Sequence, residues 1–317
     1  MTQHTLLRFV SLITFTFAFT LLAYAQPQRT FVSAQTGNDA NTVNNCSLAQ
    51  PCRNFNAAVG VVAAGGEVVA LNSGGYGVTT ISKAVTLTSP SGVYAAITAL
   101  TAFSSGIIVS AATTYTVVLR GLTLTGLGGQ TGVNVTSVGN LHIEGCVISG
   151  FTSNGINVAL TADGSHIFLK DTIVRNNDNN AVFISTTTGT VRASIDNCRS
   201  ERNLGTGFVA SNNSRVTVNR SVASGNLNGT GFLAVGVGSG VTAELSCAGC
   251  VSSNNFNGFA VNAISGAATI RVSHSTATNN TNTGFQAGAG VFESLGNNLV
   301  RGNGTNTVGT ITVIGAQ

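Results

Sequence analysis

Residues 155–210 contain three copies of one pattern, GINV at 155–158, AVFI at 181–184 and GFVA at 207–210. Each copy begins with a small residue that an apolar residue follows, and this pair recurs along most of the chain. The pairs begin at Gly106, Gly132, Gly155, Ala181, Gly207, Gly231, Gly258 and Gly284, with spacings of 26, 23, 26, 26, 24, 27 and 26 residues. A fixed period of this size, without helical periodicity, indicates a β-solenoid.

Each repeat contains two or three short strand-like runs, and in runs such as Leu141–Glu144 apolar and polar residues alternate. Alternation places one face of a strand inward and the other outward. Because coils of a solenoid stack about 4.8 Å apart, equivalent residues should form columns. The residue after each small residue predicts an internal column of Val133, Ile156, Val182, Phe208, Phe232, Phe259 and Phe285.

A second column consists of asparagines. Four positions before a small residue, or at the corresponding place in the last repeat, lie Asn177, Asn203, Asn254, Asn280 and Asn303, with Asn226 one place out of step. A buried asparagine at a tight turn can bond both backbone groups and its own copy in the next coil. We therefore predict a structural asparagine ladder that keeps the turns in register.

The chain begins with a predicted signal peptide at residues 1–25. Arg8 precedes the apolar run Phe9–Leu22, and Ala23-Tyr24-Ala25 fits the small-x-small cleavage rule. Residues 26–66 are expected to form an N-terminal lead-in and cap, and residues 67–317 the β-helix. Spacing of apolar residues at i, i+3, i+4, i+7 and i+8 from Phe55 to Ala63 predicts a short capping helix.

The composition of the mature chain argues against a nucleic-acid partner and against a membrane span. Charged residues make up only 8% of the sequence, against about 25% in ordinary globular domains. After loss of Arg8 the balance is 13 − 10 = +3, spread thinly, so no nucleic-acid-binding patch is expected. No later apolar stretch has the length of a membrane span. We expect a secreted, periplasmic or cell-surface protein.

The sequence has six cysteines, and an exported chain permits disulfides. Cys46 and Cys52 lie in one polar loop and are predicted to form a bridge across it. Cys247 and Cys250 form a CxxC within a β-rich repeat, where a redox role would lack the helix N-terminus that it needs. A structural bridge and two stacked buried thiols both remain open for this pair.

The first coils resemble those of pectin-lyase-like right-handed parallel β-helix proteins. The resemblance rests on GEVVALNSGGYG at 66–77 and ISKAVTL at 81–87. The lead-in, FVSAQTGNDAN at 31–41 with PCRNF at 51–55, resembles that of a group of secreted bacterial β-helix proteins. The resemblance implies an all-β, right-handed, single-stranded solenoid. It leaves function open, because this fold is shared by lyases, hydrolases, epimerases, adhesins and inactive proteins.

Polygalacturonase-like members of that superfamily carry carboxylates and a histidine just before the strand that follows the small residue. The equivalent positions here are Asn154, Asn180, Thr206, Thr230, Asn257 and Thr283. None is acidic, and Asp178 is the only acid nearby, whereas glycoside hydrolysis needs two facing carboxylates. A hydrolase of that type is not expected.

One charged patch is a candidate catalytic site. Glu144, Lys170, Asp196 and Asn219 align in four successive repeats, with Asp171 and Arg220 beside them. For a polysaccharide lyase acting on uronic-acid polymers, the resemblance implies Ca²⁺ on such carboxylates and a base such as Arg220. Alternation of sign along Glu144, Lys170 and Asp196 favours instead a solvated ion-pair ladder.

The sequence thus predicts a structural or glycan-contacting β-helix without an evident catalytic site, with the lyase as the alternative. Glu144, Asp171, Asp196 and Arg220 are the catalytic candidates under that alternative, and Ca²⁺ is expected only there. The expected partner is a polysaccharide or an envelope glycan. The chain has no tryptophan, and most phenylalanines of the repeats fall on the internal column, so the usual aromatic surface for sugars is not expected.

Overall fold

The computed structural model describes residues 26–161 and 163–315. The predicted signal peptide at residues 1–25 lies outside this range. In the described residues, strands dominate and form three parallel sheets, accompanied by a 3-10 helix at Asp39–Asn44 and the α-helix α1 at Phe55–Val61.

The strands fall into three groups, in which each strand pairs with its equivalent in the neighbouring coils. Sheet A contains twelve described strands: β1 Arg29–Val32, β2 Gly66–Ala70, β5 Val85–Thr88, β8 Thr116–Arg120, β11 Asn140–Glu144, β14 His166–Lys170, β17 Val191–Asp196, β20 Ser214–Asn219, β23 Thr242–Ala248, β26 Ala267–Ser273, β29 Val291–Ser294 and β32 Ile311–Val313. Sheet B contains ten: β3 Gly74–Gly75, β6 Ala95–Ala99, β9 Thr123–Gly126, β12 Val147–Ser149, β15 Ile173–Arg175, β18 Arg199–Glu201, β21 Val222–Ser224, β24 Val251–Ser253, β27 Thr276–Thr278 and β30 Leu299–Arg301. Sheet C also contains ten described strands: β4 Thr79–Ile81, β7 Ser105–Ser110, β10 Thr131–Ser137, β13 Ile156–Leu160, β16 Val182–Thr186, β19 Phe208–Ala210, β22 Thr230–Val237, β25 Asn257–Ile264, β28 Thr283–Ala287 and β31 Thr305–Val308.

A coil runs from sheet A through sheet B to sheet C, so one strand of each sheet makes one turn of the solenoid. The fold predicted from the repeat, an all-β right-handed parallel β-helix with a short N-terminal helix, is confirmed. Parallel pairing across coils satisfies the backbone, and the alternation within each strand sends every second side chain inward.

The predicted internal column is present in sheet C. Val133 pairs in register with Ile156, and the pairing continues coil by coil to Phe285. All seven side chains are buried. The rings of Phe232 and Phe259 stack with their centroids 4.8 Å apart, which adds aromatic attraction to the burial of apolar surface.

Helix α1 covers the N-terminal end of the solenoid. Phe55, Ala58 and Val59 are buried, and the ring of Phe55 lies 5.1 Å from that of Tyr76. The helix ends at Val61, two residues before the apolar spacing does, because Val62 adopts an extended backbone while its side chain remains in the core. The loop before it contains the Cys46–Cys52 disulfide, and strand β1 at its start pairs with β2.

Candidate functional site

A single residue in the left-handed region turns the chain from sheet A to sheet B in most coils. Its φ is 51° at Asp171, 50° at Asn197, 46° at Arg220 and 48° at His274. Glycines occupy the corresponding place at Gly121, Gly145, Gly249 and Gly296. These recurring glycines are the sequence signal for this column of turn residues, which the pattern of charged residues alone does not reveal. Two of the catalytic candidates, Asp171 and Arg220, are therefore turn residues.

Glu144 is held by an arginine of the preceding coil. Its Oε2 lies 2.9 Å from Nε of Arg120, and Oε1 lies 3.8 Å from Nδ1 of His142. Lys170 stands in register with Glu144 on one side and Asp196 on the other. It nevertheless forms no ion pair within 4.0 Å among the described residues. The expected Glu144–Lys170–Asp196 ladder is thus wrong, because arginines in other coils reach the two carboxylates.

The remaining candidates are also engaged. Both carboxylate oxygens of Asp196 accept hydrogen bonds from Nη2 of Arg220 at 2.7 Å. Oδ1 of Asp171 accepts from the side-chain amide of Asn197 at 2.7 Å. These contacts tie each charged group to a neighbouring coil at the corner between sheets A and B.

The catalytic candidates of this corner are spread along the solenoid. Glu144 and Arg220 lie in coils three steps apart, which is about 14 Å along the solenoid. The Arg220 side chain is 73% exposed and ion-paired, whereas an arginine must lose its proton before it can act as a base. In the residues that the structure describes, no three His, Cys, Asp or Glu side chains are grouped to hold a metal ion.

The positions that correspond to catalytic acids in polygalacturonase-like proteins form a ladder of amides and hydroxyls. Oδ1 of Asn154 accepts from the backbone N–H and the side-chain amide of Asn180, at 3.1 and 3.2 Å. Asn180 in turn accepts from the N–H of Thr206, and Thr206 from that of Thr230. Two coils further on, Thr283 donates to Asn257 at 2.7 Å. These side chains hold in place the residues at which the chain enters the sheet C strands.

The asparagine ladder lies at the turn from sheet B to sheet C. In each step, the backbone N–H and the side-chain amide of one asparagine donate to Oδ1 of the next, at 2.8–3.2 Å between Asn177 and Asn303. Its members are Asn177, Asn203, Asn226, Asn255, Asn280 and Asn303.

Asn254 is not part of this ladder, contrary to the sequence prediction. It is exposed and has a φ of 56°, and Asn255 occupies the buried position. The prediction placed each ladder asparagine four positions before the small residue of its repeat. It was wrong for Asn254 because the loop between the ladder and the small residue varies in length. The distance from the ladder to the small residue is four residues from Asn203 to Gly207 but three from Asn255 to Gly258. The constant feature is a left-handed residue immediately before the ladder.

An aromatic platform lies on the outer face of sheet A, where the sequence analysis expected none. Phe168 points outward from β14 and is 37% exposed. The ring of His142, in the preceding coil, stacks on it at 4.6 Å with an angle of 15° between the planes. The ring of His166 lies 6.4 Å away at 11°. Successive side chains of a strand point to opposite faces, so Phe168 faces outward between the inward-facing Ile167 and Leu169, and this is the sequence signal for the platform.

A shallow pocket of about 200 Å³ adjoins the platform. Its polar lining consists of His166, Arg192, Ser194, Arg215 and Thr217, and no acidic side chain lines it. Arg215 is paired with Glu244 at 3.2 Å. Arg192 forms no ion pair within 4.0 Å with any described residue. A flat aromatic surface next to a free guanidinium is suited to a sugar ring that carries polar or anionic groups.

Four cysteines are buried free thiols: Cys146, Cys198, Cys247 and Cys250. Of the two possibilities left open for Cys247 and Cys250, the structure has the reduced form. Burial raises the pKa of Cys146 to about 12 and that of Cys198 to about 11. Thiols that stay protonated and buried are poor nucleophiles, so Cys146 and Cys198 are structural. Burial and a hydrogen bond with Cys250 raise the pKa of Cys247, and the same hydrogen bond lowers the pKa of Cys250.

None of the helices in the described residues is long and apolar enough to cross a membrane. The family described as "Right handed beta helix region" matches residues 131–304, more than half of the chain, from β10 to the residue before β31. Among solved structures, the chain is similar to the pectate lyase Pel9A, with a TM-score of 0.47 and 14% identity over 93% of this chain and 79% of that one. No curated protein matches the sequence.

Proposed function

The chain belongs to the right-handed β-helix family, and from that premise we propose that it is an exported protein that contacts a polysaccharide without cleaving it. The observation that carries this proposal is the platform of His142, Phe168 and His166 on the outer face of sheet A. Sugar rings present flat C–H faces, and exposed aromatic rings with polar neighbours are the surfaces on which such faces pack.

The absence of catalysis is proposed from the state of the charged groups. Asp196 and Arg220 neutralise one another, Glu144 is paired with Arg120, and Asp171 accepts from Asn197. A general base must be free to take a proton from the substrate. The divergent lyase, with Ca²⁺ on these carboxylates, is the outcome that the experiment below tests against.

Export and domain organisation belong to the same proposal. Residues 1–25 act as the signal peptide, residues 26–66 as lead-in and cap, and residues 67–317 as the β-helix. The Cys46–Cys52 disulfide supports a secreted, periplasmic or cell-surface location, because such bonds persist in oxidising compartments.

Affinity electrophoresis of the mature protein in gels that contain different polysaccharides tests this function. We expect at least one polysaccharide to retard the wild-type protein, and Phe168→Ala to abolish the retardation. Phe256→Ala is the matched control, because Phe256 is a phenylalanine of similar exposure, 43%, in the turn between sheets B and C. Failure of every polysaccharide to retard the wild type would overturn the proposal.

The same polysaccharides, incubated with the protein and Ca²⁺, test the lyase. We expect no unsaturated sugar product in the ultraviolet spectrum. Clear turnover that Arg220→Ala removes would establish the lyase and its base. Turnover that survives Arg220→Ala would establish a lyase at another site, and both results would overturn the non-catalytic proposal.

A further inference from the structure

The pocket beside the aromatic platform differs from the rest of the outer face of sheet A in its charge. Most charged side chains on this face are paired: Arg29 with Glu67, Arg120 with Glu144, and Arg271 with both Glu244 and Glu293. Arg192 has no such pair among the described residues, although it occupies a register position next to another arginine, Arg215. Two like charges on adjacent strands repel one another.

Asp163 is an acid whose charge acts on Arg192, but the two side chains form no ion pair within 4.0 Å. Oδ1 of Asp163 accepts from the backbone N–H groups of Gly164 and Thr190, at 2.7 and 2.6 Å. Glu244 is shared between Arg215 and Arg271. The guanidinium of Arg192 therefore has free donors on a pocket wall that no carboxylate lines.

From this arrangement we propose that the pocket binds an anionic sugar residue, whose ring packs on Phe168 while Arg192 binds its carboxylate or sulfate group. The inference rests on the proposed function and specifies its ligand. A guanidinium donates two parallel hydrogen bonds to a carboxylate or sulfate, so Arg192 discriminates charged from neutral sugars. The hydroxyls of Ser194 and Thr217 lie on the same pocket wall and can accept from or donate to sugar hydroxyls. Phe168 provides affinity for both kinds of sugar.

Three hexasaccharides test the inference by isothermal titration calorimetry. They are an oligouronate, its fully methyl-esterified form, and a sulfated oligomer of an otherwise neutral sugar. The ester has the shape of the oligouronate without its charge. We expect at least one anionic oligomer to bind about tenfold more tightly than the ester, which corresponds to one charge-assisted hydrogen bond. Whether the oligouronate or the sulfated oligomer binds more tightly identifies the source of the charge.

Variants of Arg192 then assign the preference to this residue. Arg192→Gln should remove the preference for the anionic oligomer and leave the affinity for the ester unchanged. Arg175→Gln is the control, because Arg175 is an exposed arginine on sheet B, without an ion pair in the described part of the chain. We expect it to retain the preference.

The outcomes separate this inference from the function on which it rests. If the wild type binds the ester and both anionic oligomers equally, and Phe168→Ala weakens all three, the function stands and the anionic class is wrong. If Arg192→Gln weakens the ester as much as the anionic oligomer, Arg192 does not read charge and the inference fails. If no polysaccharide or oligomer binds the wild type, the proposed function itself is wrong.

Discussion

The side-chain amide of Asn203 donates to Oδ1 of Asn226 across one coil of the solenoid, at 3.1 Å. The same oxygen accepts from the backbone N–H of Asn203 at 3.1 Å and from the hydroxyl of Ser200 at 3.2 Å. One buried oxygen thus accepts hydrogen bonds from three donors, which are buried away from water. In the next coil, Oδ1 of Asn255 likewise accepts hydrogen bonds from the backbone N–H and the side-chain amide of Asn226.

Replacement of Asn226 by alanine should lower the free energy of unfolding by about 3 kcal/mol, because it leaves buried donors without acceptors. Guanidinium denaturation followed by circular dichroism measures the change. Asn254→Gly is the control: Asn254 lies outside the ladder in a left-handed turn that glycine adopts freely, so its effect should stay within about 0.5 kcal/mol. Equal losses for both variants would contradict the ladder's role.

The phenylalanine column should respond to truncation at its centre. Phe232 stacks on Phe208 at 5.2 Å and on Phe259 at 4.8 Å. Phe232→Ala should cost about 4 kcal/mol, from lost burial and the cavity left behind. Phe256→Ala removes the same atoms from an exposed site and should cost less than about 1 kcal/mol. Denaturant midpoints measure both changes. Equal shifts of the midpoint for Phe232→Ala and Phe256→Ala would contradict the contribution of the column to stability.

The parts of the fold and of the candidate site that could be predicted from the sequence are those that recur at a fixed spacing in every coil. The column from Val133 to Phe285 was predictable because each residue follows the same small residue in every coil. The ladder was predicted with one error, at Asn254, because loop length between Asn255 and Gly258 changes and a count from the small residue cannot detect this. The platform was missed because the contact of His142 with Phe168 depends on pairing between residues 26 positions apart. The position of Arg192 beside Arg215 likewise follows from the register of neighbouring coils and not from nearness in sequence.

The corner between sheets A and B should accept asparagine in place of glycine only where space allows. Gly145 has a φ of 60° and no atom within 4 Å of an added Cβ, whereas at Gly121, with a φ of 70°, a Cβ would lie 2.6 Å from the carbonyl oxygen of Ser89. Asn197 already adopts this conformation in another coil. Gly145→Asn should therefore change the free energy of unfolding by less than about 0.5 kcal/mol and Gly121→Asn by about 2 kcal/mol or more. Thermal unfolding distinguishes the two, and equal melting temperatures would show that the turn, not its surroundings, sets the cost.

Burial of Cys146 should make stability fall with rising pH in the alkaline range. Its pKa is raised from 9.0 to about 12 in the folded chain. The unfolded chain therefore ionises first, and the stabilisation that is complete below pH 9 is lost as pH rises toward 12. While only the unfolded thiol ionises, each pH unit costs up to about 1.4 kcal/mol. Cys146→Ser replaces the thiol with a hydroxyl, which does not ionise in this pH range. The equivalent residue in the next coil, Thr172, also carries a hydroxyl. Denaturant midpoints across the alkaline range should fall less steeply for this variant, with the residual slope including that of Cys198. Identical slopes for wild type and variant would show that Cys146 ionises in the folded chain as readily as in the unfolded one.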